Sequence, residues 1–246
     1  TILNKIILMV EDQHFMVDES LLQEIASYAS KWDTVLEIGA GKGALTEQLV
    51  KRAKRVYAIE IDQEFIPDLE EKFADQKNVV FMFDDALRVE FPKFDKCISN
   101  LPYSICEPLL WRFFRLEFNQ AILVVPETFA DILIGKSWSK LNYILPMFFG
   151  VKKLRVITKE AFDPQPSVKS ALVVLTSRQS DNPLKELYIQ YDKKLRNALR
   201  ELFMGQGLKK REASLKASAL FPKAMLDKKV QNLSAVEIQR LMQSIN

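Results

Sequence analysis

Within four residues, Asn100-Leu-Pro-Tyr103 combines a side-chain amide, a stiffened backbone carbonyl and an aromatic face. That set suits the activation of an exocyclic amine on a heteroaromatic base. Such an amine is a poor nucleophile because its lone pair is delocalised into the ring. Two acceptors that grip its N–H groups bias the nitrogen toward a pyramidal, attacking form. Asn100 offers its side-chain carbonyl. Leu101 offers its backbone carbonyl, held by the restriction that Pro102 imposes on itself and on the residue before it. Tyr103 offers a surface on which an extruded base can stack. Alone, the tetrapeptide also reads as a plain strand-ending turn, so its meaning depends on the residues that accompany it.

A glycine-rich turn, Glu37-Ile-Gly39-Ala-Gly41-Lys-Gly43, stands upstream. Glycines let the backbone turn tightly and approach a ligand that a Cβ would keep away. Glu60 follows Gly41 by 19 residues, a spacing at which a carboxylate can accept hydrogen bonds from both ribose hydroxyls of a nucleoside. Gly39, Gly41 and Ala44 satisfy a dinucleotide fingerprint. They equally suit S-adenosylmethionine, which carries no phosphate. The acidic Glu37 beside the turn favours a cationic ligand over a pyrophosphate. Asp85, after the third apolar run, can accept from an adenine amino group or cap a helix. A sulfonium methyl is already activated, so its transfer needs in-line positioning more than a general base. The lack of a histidine at the Asn100 turn is therefore no objection. No metal site is expected: Cys97 and Cys106 show no zinc spacing, and His14 is the only histidine.

The elements that must position these residues alternate regularly. Strands are predicted at 34–38, 55–60, 78–83, 96–99 and 120–125, with helices at 44–52, 63–74 and 105–115. This is the pattern of an α/β, doubly wound, Rossmann-like sheet with ligand-binding turns at the carboxyl ends of its strands. Segments 154–158 and 170–176 read as strands flanking Pro164 and Pro166, an antiparallel pair at one edge. From Asn182 onward the pattern is helical, with Leu195, Leu199, Leu202 and Phe203 on one face. Two domains are expected, 1–177 and a small helical one at 178–246.

The chain of 246 residues is 48% hydrophobic and 27% charged, enough for a large core. It has no apolar run near the roughly 18 residues of a membrane span. Thr1–Val10 is apolar but short, with no cleavage signature, and reads as a strand or packed segment. Residues 178–246 carry 14 Lys/Arg against 7 Asp/Glu, whereas residues 1–177 carry 21 against 25. A basic lobe beside an acidic body points to a polyanionic partner.

In order along the chain, these motifs resemble the KsgA/Dim family of rRNA adenine dimethyltransferases. Glu37 to Thr46 resembles the family's first motif and Tyr57-Ala-Ile-Glu-Ile-Asp62 its second; Asp85-Ala-Leu87 and Asn100-Leu-Pro-Tyr103 follow. Ala161-Phe-Asp-Pro-Gln-Pro-Ser-Val-Lys-Ser-Ala171 is similar to its Phe-x-Pro-x-Pro-x-Val-x-Ser-Ala stretch, and Leu195 to Leu199 resembles the start of its helical domain. The resemblance implies a class I methyltransferase sheet and S-adenosyl-L-methionine as cofactor. It implies two methyl transfers to N6 of adenines near the 3′ end of small-subunit rRNA during ribosome assembly. Cofactor contacts are implied at His14, Met16, Gly39, Glu60, Asp85 and Asn100, and stacking of Phe162 on the target base opposite Tyr103. The expected partner is the immature small subunit, the expected setting the cytoplasm, with no membrane and a monomeric chain. Asp12-Gln-His-Phe-Met16 departs from the family's Gly-Gln-Asn/His-Phe-Leu, Lys5 alone answers to its basic arm, and Trp138 to Tyr143 replaces an Asp-Tyr-Gly-Arg-Leu stretch. The alternatives are a large-subunit adenine methyltransferase of the antibiotic-resistance type, a non-catalytic assembly factor, and a dinucleotide-dependent oxidoreductase.

Overall fold

Five β-branched or apolar-rich runs lie side by side in one sheet because each is apolar along nearly its whole length, as strands covered on both faces must be. The computed structural model describes residues 13–179 and 182–245. The Thr1–Val10 segment, Lys5 and Asp12 lie outside the described residues. The strands are β2 (Thr34–Ile38), β3 (Arg55–Glu60), β4 (Val79–Phe83), β5 (Lys96–Asn100) and β6 (Gln120–Pro126), joined by β7 (Phe149–Ile157) and β9 (Ser170–Ser177). Their order is β4-β3-β2-β5-β6-β9-β7. β2 pairs in parallel with β3 and with β5, and the chain winds outward in opposite directions from that pair. The switch point, where crossovers diverge and leave a crevice, therefore lies between the glycine turn after β2 and the Asn100 turn after β5.

The expected antiparallel edge is present. β9 runs antiparallel to β6, from Gln120↔Thr176 to Pro126↔Ser170, and β7 lies outside it. Helices α1 (Glu19–Ala26), α2 (Ala44–Val50), α3 (Ile66–Lys72), α4 (Cys106–Phe113) and α5 (Glu127–Leu133) accompany the sheet. Two predicted helices begin with a 3₁₀ turn, Gln63–Phe65 before α3 and Tyr103–Ile105 before α4. Asp62 caps the first of these by accepting from the Glu64 amide. Ile25, Val35, Leu49, Val56, Ile98, Val124 and Leu172 are fully buried in the core around the sheet.

A pairing not anticipated from sequence joins β1 (Phe15–Met16) to β8 (Phe162–Asp163), with Met16 opposite Phe162. Each strand has two residues, too few to show a period. The Val17 amide donates to the Ala161 carbonyl at 2.9 Å, and a cis peptide joins Asp163 to Pro164. This small ribbon brings His14 to the proline-rich segment.

The chain divides into two units, with a boundary after Ser177 and a segment, 135–150, grouped apart from the residues that flank it. One unit comprises the described residues up to Ile134 with Val151–Ser177; the other comprises Gly135–Gly150 and the described residues from Arg178 on. Residues 135–150 join the second unit because α6 (Leu141–Phe148) buries Leu141, Ile144, Leu145, Met147 and Phe148. It packs on α7 (Leu184–Ile189) and α11 (Ala235–Ile245). Within this unit Gln239 Nε2 donates to the Tyr143 hydroxyl at 2.6 Å and Lys140 Nζ to the Gln231 carbonyl at 2.7 Å. Those bonds give the divergent Trp138–Tyr143 stretch a role in the helical unit, although Trp138 itself is exposed. α8 (Leu195–Gly205) and α9 (Lys210–Leu220) pack on each other, and the short α10 (Lys223–Leu226) follows. Among the described residues no helix is long and apolar enough to cross a membrane.

Candidate active site

All three glycines of the turn after β2 have positive φ: Gly39 at 79°, Gly41 at 52° and Gly43 at 74°. Most side chains are strained there. Space is also lacking. A Cβ on Gly39 would stand 3.0 Å from Pro102 Cδ, and one on Gly41 would stand 3.0 Å from the Phe15 ring. The glycine turn thus touches the Asn-Leu-Pro-Tyr turn directly. A cavity of about 520 Å³ opens beside the pair. Its wall includes His14, Met16, Gly39, Gly41, Glu60, Asp85, Asn100, Leu101, Pro102 and Tyr103.

The sheet sets the carboxylates. Glu60, the last residue of β3, accepts from the Gly41 amide at 2.7 Å through one oxygen. Its other oxygen accepts from the amides of Ile61 at 2.9 Å and Asp62 at 2.8 Å. Burial raises its pKa, while these three amides pull it back down. A carboxylate has about four acceptor directions, so in this arrangement one remains open. Asp85 caps its own turn, accepting from the Leu87 amide at 2.9 Å, and its other oxygen lies 3.6 Å from Arg88 Nε. Capping and cavity-lining roles coexist in it. Glu37 also reaches the cavity wall, yet it is only 1% exposed and accepts from Thr46 Oγ1 at 2.6 Å. Burial pushes its pKa up to about 8, and the neighbouring Glu60 adds to the rise. At neutral pH it is therefore mostly the neutral acid, so the field of a negative charge expected from the sequence is largely absent.

Asn100, a residue of the cavity wall, has its amide fixed by a backbone partner. Its Nδ2 donates to the His14 carbonyl at 2.9 Å. A carbonyl oxygen only accepts, which fixes the amide's orientation. Oδ1 is then buried without a hydrogen-bond partner. An orphaned buried acceptor costs on the order of 1–3 kcal/mol and calls for a donor from outside the chain. The Leu101 amide donates to the Val124 carbonyl at 3.1 Å and so anchors the turn to β6. The Tyr103 hydroxyl is 2.5 Å from Ser170 Oγ, itself fully buried at the start of β9. The His14 ring lies 5.4 Å from that of Tyr103, and its Nδ1 donates to the Pro164 carbonyl at 3.0 Å.

Phe162, expected opposite Tyr103, lies in the core. It is 2% exposed, belongs to the hydrophobic core and is not part of the cavity wall. Its strand pairs with β1, and the pleat turns its ring inward beside Met16. Sequence reasoning missed Phe15, Ile61, Leu87 and Ser104 in the wall and Ser170 behind Tyr103. Ser170 stands within the proline-rich stretch singled out above, but spacing alone does not show which of its residues faces the Asn100 turn. Among the described residues no cluster of metal-ligating side chains occurs.

Comparison with known proteins bears directly on this geometry. Residues 11–244 match the family model described as ribosomal RNA adenine dimethylase. A probable ribosomal RNA small subunit methyltransferase A from Methanosarcina acetivorans is 38% identical over 204 residues, covering 76% of each chain. Its counterpart from Methanosarcina barkeri is 36% identical over 250 residues, covering 95% of this chain and 86% of the relative. Among solved structures, a dimethyladenosine transferase from Plasmodium falciparum superposes with a TM-score of 0.66 at 24% identity, covering 93% of this chain and 96% of that one. The 23S rRNA methyltransferase ErmE superposes at 0.63 and 22%, covering 94% and 99%. Those two likenesses establish the class I methyltransferase fold. With nearly the whole chain matched by the family model and a cavity built from that family's motifs, this chain belongs to the ribosomal RNA adenine dimethylase family.

Proposed function

We propose that this protein transfers methyl groups from S-adenosylmethionine to N6 of adenines near the 3′ end of small-subunit rRNA, two to each base. The observation that carries the proposal is Asn100 Oδ1, a buried acceptor with no partner, on a residue in the wall of a cavity that the glycine turn also lines. The cofactor, when bound, supplies a methyl group already activated on a sulfonium. Gly39 and Gly41 clear space for it, Glu60 and Asp85 offer acceptors to its nucleoside, and His14 and Met16 close the near side.

The remaining work belongs to the Asn100 turn. Asn100 Oδ1 accepts one N–H of the target amine and the Leu101 carbonyl the other, which makes the nitrogen pyramidal and localises on it the lone pair that the ring otherwise shares. Tyr103, braced by Ser170, supplies the surface against which the flipped base rests. After one transfer the amine keeps a single N–H, so one acceptor suffices to orient it for the second. The surplus proton passes to water after attack. The reading carries with it a monomeric enzyme acting in the cytoplasm on immature subunits.

The test is incubation with labelled cofactor and immature small subunits, followed by mapping of modified bases. Dimethyladenine in the terminal small-subunit hairpin is the expected product. A large-subunit product would assign the chain to resistance-type methylation, and binding without label would make it an assembly factor.

A further inference from the structure

At the catalytic edge of the large sheet the turns after β2, β3 and β4 are acidic. Asp62, Glu64, Asp84 and Asp85 stand in them against Lys42 and Arg88. A polyanion gains little there, so its phosphates must be held elsewhere. The opposite edge of the same unit has the reverse character. Lys31, Arg52, Lys54, Arg55, Lys77 and Lys93 are all exposed, and none is ion-paired among the described residues.

Backbone and side-chain bonds tie these loops into one surface. The Lys54 amide donates to the Asp33 carbonyl at 2.9 Å, next to Lys31 and Trp32. Asn78 Nδ2 donates to the carbonyls of Val50 at 2.8 Å and Ala53 at 3.2 Å, bringing Lys77 to the same loop. The Asp95 amide donates to the Thr34 carbonyl at 2.8 Å, bringing Lys93 alongside. The acids here are mostly spoken for: Asp33 pairs with Lys96 at 2.9 Å and Asp95 accepts the Thr34 amide, leaving Asp75 and Glu117 exposed. Helix C-termini attract cations, but that field fades within the last turn. It accounts for Lys51 and Lys72, both paired with Glu47, and not for lysines further along the loops.

Trp32 is 75% exposed, with Lys31 Nζ 5.0 Å from its ring centroid. An indole left in water among cations is the combination by which single-stranded bases are stacked while their phosphates are neutralised.

We propose that this edge, centred on Trp32, Arg52, Lys54, Lys77 and Lys93, is a second RNA-binding surface of the enzyme. It lies one strand length, roughly 17–20 Å, from the reacting base. It holds a single-stranded or looped segment of the same folded RNA. The inference rests on the proposed function in taking the substrate to be a large RNA able to reach both edges.

The experiment measures binding of protein-free small-subunit rRNA across a salt series, without any transfer step. The variant Arg52→Ala/Lys54→Ala/Lys77→Ala/Lys93→Ala should bind about tenfold or more weakly, with a salt slope shallower by about 3 units. Trp32→Ala should weaken binding by about tenfold with the slope unchanged. Cofactor affinity and melting temperature serve as controls for folding. Unchanged rRNA affinity in either variant overturns the proposal. So does a loss confined to intact subunits with naked rRNA bound normally, which would give the surface to a ribosomal protein. Wild-type protein that binds rRNA through this edge but methylates nothing would instead sink the proposed function alone.

Discussion

Asn100 concentrates the chemistry into one atom. Its Oδ1 is a buried acceptor left without a partner, so removing it should leave the cofactor in place and slow the transfer. Asn100→Ala is expected to lower the single-turnover rate by roughly a hundredfold, about 3 kcal/mol, while a cofactor titration changes little. Near-normal turnover would show that the amine is not activated there. Glu37 makes a different prediction. Its pKa rises from 4.5 to about 8 on folding. Between those values the native state holds a proton that the unfolded chain has lost. Its contribution to stability is therefore complete below pH 4.5, declines as pH rises, and is gone above about 8. Thermal melts at pH 6, 7.5 and 9 should show Glu37→Gln gaining on the wild type as pH increases; parallel curves would mean that Glu37 stays ionised. Sequence alone identified Glu37 as acidic and near the ligand but assigned it a charge. The burial that decides the protonation, against the opposing pull of the Thr46 bond, arises only when β2 and α2 pack.

The turns at the strand ends are stressed by different things. Gly39→Ala places a Cβ 3.0 Å from Pro102 in a backbone of positive φ. The expected cost is about 1–3 kcal/mol of stability, with cofactor affinity lost as the Asn100 turn is pushed aside. Equilibrium denaturation and cofactor titration measure the two effects. Tyr103→Phe and Ser170→Ala each break the same 2.5 Å hydrogen bond. Each should reduce kcat/KM for RNA, and the double variant should be little worse than either single one, because the two residues share that bond. Additive losses would separate the two residues. The five parallel strands, the glycine turn and the Asn100 turn were legible because apolar runs and fixed spacings are local signals. The β1–β8 ribbon was not: its two-residue strands pair across about 150 positions, and the pairing is what buries Phe162. The family motif located Phe162 correctly in the chain, while the direction of its ring depends on the register with Met16.

At the scale of the molecule, the helical unit is not a C-terminal appendage, because its core includes α6 from mid-chain. A fragment of residues 178–246 should therefore be poorly helical by circular dichroism. Linking it to residues 135–150 should restore a cooperative melt; a well-folded 178–246 fragment would show α6 to be dispensable. The charge contrast between 1–177 and 178–246 was readable from composition. Its distribution within the first unit, acidic at one sheet edge and basic at the other, depends on topology and was not. The mid-chain position of α6 also governs how the protein comes into being during translation. The bond between Tyr143 and Gln239 spans 96 residues, so α6 emerges long before α11 is synthesised. Its five apolar side chains must wait, uncovered, while the last strands of the sheet are laid down. Long-range closure of this kind slows folding and prolongs the exposure of sticky surface. The nascent chain should thus depend on chaperones most heavily after Phe148 has left the ribosome and before the final helix has.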